Sequence, residues 1–180
     1  AEKNNVFPLD GDLGPRLAAM QARAAPQDEE LVYYPPAAIR VHESVAPPIK
    51  NRSHERIADV DFLPGQSDGM LVTAGGRTSG YALFVRNNRL VYVYNYLSMN
   101  RTIITSDVEV PTGESTLSMK FTKTGNFEGD AEIFINGKSA GKARLDKTIP
   151  ATFSIEETFD VGEDTGSPIV EDTYAVPFRS

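Results

Sequence analysis

The stretch YALFVRNNRLVYVYNY, residues 81–96, decides the fold. Two apolar runs, 81–86 and 90–96, flank Asn87-Asn88. Aromatic and β-branched residues dominate both runs and suit extended backbone. Asparagine tolerates the positive φ that a two-residue hairpin turn requires. The pattern predicts an antiparallel hairpin. Within its second run Tyr92, Tyr94 and Tyr96 recur at period two and share one face, with Val91 and Val93 on the other.

Working outward, residues 130–135 and 138–145 form a second hairpin across Asn136-Gly137, the strongest short hairpin signal. Residues 116–122 alternate, with Leu117, Met119 and Phe121 facing one way and Ser118, Lys120 and Thr122 the other. Further strands are expected at 31–34, 56–62, 70–74, 102–106 and 153–161. In 56–62, Ile57 is out of step with Val60 and Phe62, which predicts a bulge. Pro35-Pro36, Pro64-Gly65 and Gly75-Gly76 are stops, and 162–180 reads mostly as loop. Roughly eight to ten short strands without βαβ alternation predict an all-β fold, an antiparallel two-sheet β-sandwich over residues 31–180. Residues 1–30 differ. Leu13, Leu17 and Met20 at helical spacing, Asp12 as a cap and Pro15 in the first turn predict a short helical extension.

Composition narrows the function. The 180 residues carry 18 basic and 25 acidic side chains, a net charge of −7, which argues against nucleic acid and anionic membrane surfaces as partners. No apolar run approaches the ~20 residues that span a bilayer. There is no cysteine, so disulfides, thiolate metal sites and thiol nucleophiles are excluded. The only histidines are His42 and His54, too few for a three-histidine zinc site.

Four places stand out. Asp160, Glu163 and Asp164, with Glu171 and Asp172, form an acidic loop of the oxygen-rich kind calcium takes, though the spacing is not that of an EF-hand. Its plainer reading is a solvated loop or a domain contact. Tyr92, Tyr94 and Tyr96, with Tyr81, offer a sugar-stacking platform if exposed and core if buried. The turn 75–80, GGRTSG, sets Arg77 among backbone N–H groups and suggests an anion cradle, against a plain connection between strands. Arg52, Ser53 and His54 enter a strand. Adjacent strand residues point to opposite faces, so Ser53 and His54 make no nucleophile–base pair. Arg52 and His54 are instead candidates for contact with a neighbouring domain, and His42 is expected to be exposed.

Several stretches, in order, resemble the C-terminal tail of large arylsulfatases: Asn5-Val6-Phe7-Pro8-Leu9-Asp10, Pro48-Ile49-Lys50-Asn51-Arg52-Ser53-His54, Gly75-Gly76-Arg77 with Gly80-Tyr81, Leu90-Val91-Tyr92-Val93-Tyr94-Asn95-Tyr96, and residues 159–168, FDVGEDTGSP. The resemblance implies a non-catalytic domain appended to a sulfatase. It makes residues 1–30 the link to a catalytic domain of the same polypeptide, which would be this domain's partner. Formylglycine and calcium belong to that other domain. This chain lacks the Cys/Ser-x-Pro-x-Arg motif, so the resemblance assigns it no catalytic residue and no cofactor beyond the calcium candidate. The Ile135-Asn136-Gly137-Lys138 hairpin with Gly141 also resembles a hairpin of concanavalin A-like, jelly-roll-like sandwiches.

Three functions follow as expectations. The first is a structural or substrate-entrance role beside a sulfatase domain, without catalysis by this chain alone. The second is a carbohydrate-binding, lectin-like module, marked by exposed tyrosines. The third, ranked last, is an independent hydrolase using a carboxylate pair.

Overall fold

A computed structural model describes residues 30–35, 38–64 and 68–179. The expected helix within residues 1–30 lies outside them. The sandwich is the compact unit Val32–Ser180. One sheet has the order β1-β6-β7-β8: β1 is His54–Phe62, β6 Gly113–Gly125, β7 Glu128–Ile135 and β8 Lys138–Leu145. The facing sheet has the order β5-β4-β3-β2-β9: β2 is Gly69–Gly75, β3 Gly80–Arg86, β4 Arg89–Tyr96, β5 Asn100–Thr105 and β9 Phe159–Val161. A two-stranded ribbon joins β10, Glu163–Asp164, to β11, Phe178–Arg179. All pairings are antiparallel. Among the described residues no helix is long and apolar enough to cross a membrane.

The turns explain the hairpins. Asn87 and Asn88 have φ of 50° and 61°, and Asn136 and Gly137 have 50° and 74°, the left-handed values these two-residue turns need. The β4–β5 turn uses Leu97 and Ser98 at 52° and 56°, residues for which this conformation is unfavourable and which carry no turn signal. Asn95 compensates, because its side-chain oxygen accepts from Ser98 N at 3.0 Å.

Between the sheets lies the main core. Leu117, Met119, Phe121 and Ile133 of one sheet meet Leu83, Val85, Leu90, Tyr92 and Ile104 of the other. Each such side chain stabilises by roughly 1.5–3 kcal/mol on burial. Strand β1 carries no bulge: its register with β6 is unbroken. Without the expected bulge, the phase set by Val60 and Phe62 runs through the whole strand and turns Ile57 outward. His54, Arg56, Ala58, Val60 and Phe62 turn inward, while Ile57 is 62% exposed. The bulge lies in β2, between Met70 and Val72. It lets Leu71 and Val72 both pack toward the main core.

Residues 162–180 are not a plain loop. Ile169, Val170, Tyr174 and Phe178 cover Met70, Ala82, Phe84, Val91 and Val93 on the outer face of the five-stranded sheet. That strap is why β3 and β4 read as apolar on both faces. The expected strand 153–161 contracts to Phe159–Val161, since Glu43 takes the Phe153 N–H that a ladder would use. Residues 31–34 form no strand, and Tyr33 packs edge-on against Phe159 at 5.4 Å.

Candidate functional site

The unbroken phase of β1 places two polar side chains inside one end of the sandwich. His54 lies opposite Phe121 and stacks on it, ring centroids 5.3 Å apart. Its Nδ1 is 3.0 Å from the Arg52 carbonyl oxygen, which only an N–H can satisfy, so Nδ1 donates and Nε2 carries the lone pair. Burial, then the charge of Arg56, pushes the His54 pKa down to about 3. The ring is therefore neutral at ordinary pH. The Arg56 guanidinium lies 3.9 Å from the centroid of the Tyr81 ring. It also reaches the Tyr92 hydroxyl and, at 4.0 Å, the Met119 sulfur. Among the described residues it forms no salt bridge.

A loop after β8 closes this end. The Tyr94 hydroxyl accepts from Ile149 N at 2.8 Å, and Thr148 N donates to the Phe127 carbonyl at 2.7 Å. Glu43, in the 3₁₀ turn Glu43–Val45, accepts from the backbone N–H groups of Phe153 and Ser154 and pairs with Lys50. Lys50 Nζ stands 4.9 Å over the Phe153 ring. The result is a crevice enclosing a cavity of about 20 Å³, lined among others by Lys50, His54, Arg56, Tyr94, Thr148 and Phe153. Three buried polar atoms of its lining have no protein partner: His54 Nε2, Arg56 Nη2 and Thr148 Oγ1. A second concavity, wider and shallower at about 410 Å³, follows the β1–β6 edge past Asp59, Asp61 and Glu114.

The structure redistributes the other candidates. Tyr92 and Tyr94 are only 2% and 6% exposed and Tyr96 packs partly buried against the same core, so they form no surface platform. Their alternation with valine marks a strand covered on both sides. Burial pushes the Tyr92 and Tyr94 hydroxyls well above the ordinary phenol range. In the acidic loop Asp160, Glu163 and Asp164 each have protein partners. Asp160 accepts from the Arg40 N–H and, at 3.2 and 3.1 Å, from the hydroxyls of Thr158 and Thr165. Asp164 accepts from Tyr174 Oη and Gly166 N, and Glu163 pairs with Arg179 at 2.7 Å. Among the described residues no group of three or more histidine or acidic side chains is disposed to hold a metal ion.

In the turn 75–80 several groups are likewise engaged by the protein. Gly76 N donates to the Ser79 carbonyl, Arg77 N to Ser167 Oγ, and the Arg77 guanidinium meets Glu171 at 3.3 Å. His42 bonds Ser44 through Nδ1. Of the expected site residues only His54, turned inward rather than toward a neighbouring domain, and the buried Tyr92 and Tyr94 line the crevice. Arg56 and Thr148 carried no motif. The one available signal was the polar residue two positions from His54 on the same strand face.

No protein-family model matches this chain, and no curated protein sequence does. Solved structures do resemble it. Domains LG4-5 of the mouse laminin α1 chain align over 87% of this chain and 44% of theirs, with 12% identity and a TM-score of 0.56. The native heptameric SAP-like pentraxin from Limulus polyphemus aligns over 72% of this chain and 60% of its own, with 9% identity and a TM-score of 0.45. The LG1-3 region of the laminin α2 chain aligns over 73% and 25%, with 12% identity and a TM-score of 0.49. The chain thus spans less than two thirds of each of these. At such identity the likeness speaks for architecture, and the chain is similar to laminin G-type domains in being a concanavalin A-like sandwich of two antiparallel sheets.

Proposed function

We propose that this chain is a non-catalytic recognition module of lectin-like type, which binds carbohydrate at the crevice where β1 begins. One observation carries the reading. At one end of a lectin-like sandwich, the aromatic rings of Tyr94 and Phe153 flank three hydrogen-bonding groups with no protein partner. Sugars present hydroxyls that both donate and accept, which such groups satisfy. The crevice is narrow, so it suits a projecting hydroxyl rather than a whole ring. A glycan array probed with the full chain, followed by backbone amide shift mapping of any hit, tests this. Shifts centred on Lys50, Asn51, Thr148 and Phe153 are expected. Absence of any hit, or shifts centred on Asp59 and Glu114, would overturn it.

A second reading keeps the chain as the accessory C-terminal domain of an arylsulfatase-type enzyme, partnered by the catalytic sulfatase domain of the same polypeptide. It rests on the ordered sequence resemblance at residues 48–54, 75–81, 90–96 and 159–168. Its test is the size of the native polypeptide in its source. A band several times larger that co-purifies with aryl sulfate hydrolysis supports it, and a band no larger than this chain ends it.

A further inference from the structure

The three unpartnered atoms of the crevice differ in kind, and the difference specifies what binds there. Arg56 Nη2 is a donor with no acceptor capacity. Two backbone carbonyls, Arg52 and Ile49, lie by the His54 ring; Nδ1 gives its proton to the Arg52 carbonyl at 3.0 Å, which leaves Nε2 as the acceptor. The Thr148 hydroxyl is both. A buried polar atom left without a partner costs about 1–3 kcal/mol, so three lining one cavity favour an occupant that satisfies them together. A metal cation is disfavoured by Arg56 beside the cavity and Lys50 at its rim. An anion meets the Nε2 lone pair. The cavity of about 20 Å³ accommodates a single oxygen-sized group.

We infer that the cavity lined by His54, Arg56 and Thr148 is a binding site for one neutral hydroxyl oxygen, which accepts from Arg56 Nη2 and donates to His54 Nε2. Two sources share this chemistry: a resident water, and the hydroxyl of an alcohol or sugar entering past Lys50 and Asn51. The external source rests on the recognition reading above, and the resident water does not. The site explains why two polar side chains occupy the inner face of β1, where Ala58, Val60 and Phe62 continue as core. It also gives Thr148 a role that its exposed neighbour Lys147 lacks.

The test is a high-resolution crystal structure of the full chain, native and soaked separately in ethylene glycol and in sodium bromide. An oxygen within hydrogen-bond distance of all three atoms is expected. Round density unchanged by glycol identifies resident water, and elongated density after the glycol soak identifies an external hydroxyl. Either outcome supports the inference. In a Thr148→Val variant, which keeps the side-chain shape, that density is expected to be lost while the fold stays unchanged. A bromide anomalous peak at the site overturns the inference, as does the absence of density there in both the native and the glycol-soaked maps. The two readings fail separately. Ordered water with a blank glycan array leaves the hydroxyl site standing and removes carbohydrate recognition. A bromide peak with a positive array does the reverse.

Discussion

The hydroxyl of Tyr174 donates a 2.7 Å hydrogen bond to Oδ2 of Asp164, and both side chains are buried. The same hydroxyl oxygen accepts from Ile169 N at 3.1 Å. One phenol thus ties the start, middle and end of the strap that covers the outer face of the five-stranded sheet. Removing it in Tyr174→Phe takes this partner from Ile169 N and leaves Asp164 with the Gly166 N–H alone. The expected loss is about 2–4 kcal/mol, since a carboxylate is the costlier of the two. It should appear as a lower urea midpoint, with amide exchange accelerated first in residues 163–179. A variant as stable as wild type would show that the strap is held by its apolar contacts alone.

Two buried titratable groups give the stability opposite dependences on pH. Burial raises the Asp164 pKa above the ordinary carboxylate value. Its contribution is therefore fully present below about pH 4 and is lost as pH rises through the folded-state value. His54 works the other way. Its folded pKa of about 3 lies below the ordinary 6.5, so its contribution is present above 6.5 and is lost as pH falls toward 3. The His54 share is on the order of a few kcal/mol, because each tenfold change in proton affinity corresponds to about 1.4 kcal/mol. Urea denaturation across the acid range checks both. His54→Phe, which keeps the stack on Phe121, should flatten the loss on acidification. Asp164→Asn should flatten the opposing slope. An unchanged wild-type profile in either variant removes that residue from the account.

Strand positions were legible because local signals and tertiary contacts agree there. Asn87-Asn88 and Asn136-Gly137 announce their turns, and Leu117, Met119 and Phe121 face the core as their alternation implies. The candidate sites were far less legible. Tyr92 and Tyr94 look the same in sequence whether they plate a surface or fill a core, and only the covering strap decides. In β1 the inward face of Val60 and Phe62 was readable, but the bulge expected at Ile57 is absent. Ile57 suggested the inner face, yet contacts with Tyr81 and Phe121, both far along the chain, draw Arg56 and His54 inside. The crevice joins β1 to Thr148 and Phe153, residues remote in sequence, so no local motif announces it.

Asn95 is fully buried and joins three segments. Its Nδ2 donates to the Arg77 carbonyl at 2.7 Å and to the Ile169 carbonyl at 2.8 Å, and its Oδ1 accepts from Ser98 N. Asn95→Ala is expected to destabilise by about 2–3 kcal/mol, since the Ile169 carbonyl and Ser98 N lose this partner and the Arg77 carbonyl keeps only the Ser98 hydroxyl. Asn95→Asp should be no better, because it keeps the acceptor but loses both donors. Thermal denaturation of the two variants checks this. A loss below about 1 kcal/mol in both would mean that water replaces the side chain.

Arg56 tests whether the polar end of the sandwich serves stability or binding. Its desolvation costs several kcal/mol, as for any ion taken out of water. Against this stand a cation–π contact with Tyr81, worth about 2 kcal/mol when desolvated, and the neighbouring Tyr92 hydroxyl. These nearly cancel. Arg56→Met, of similar length and without charge, should therefore change stability by no more than about 1 kcal/mol or raise it. Arg56→Lys should lose more than about 2 kcal/mol, because a compact ammonium cannot spread over the Tyr81 ring and remains desolvated. Urea midpoints for the pair separate the two roles. If the methionine variant falls as far as the lysine variant, the guanidinium holds this end of the sandwich together. If it does not, the cation is kept at a net cost near zero, as expected of a group whose use is to present a hydrogen-bond donor inside the crevice.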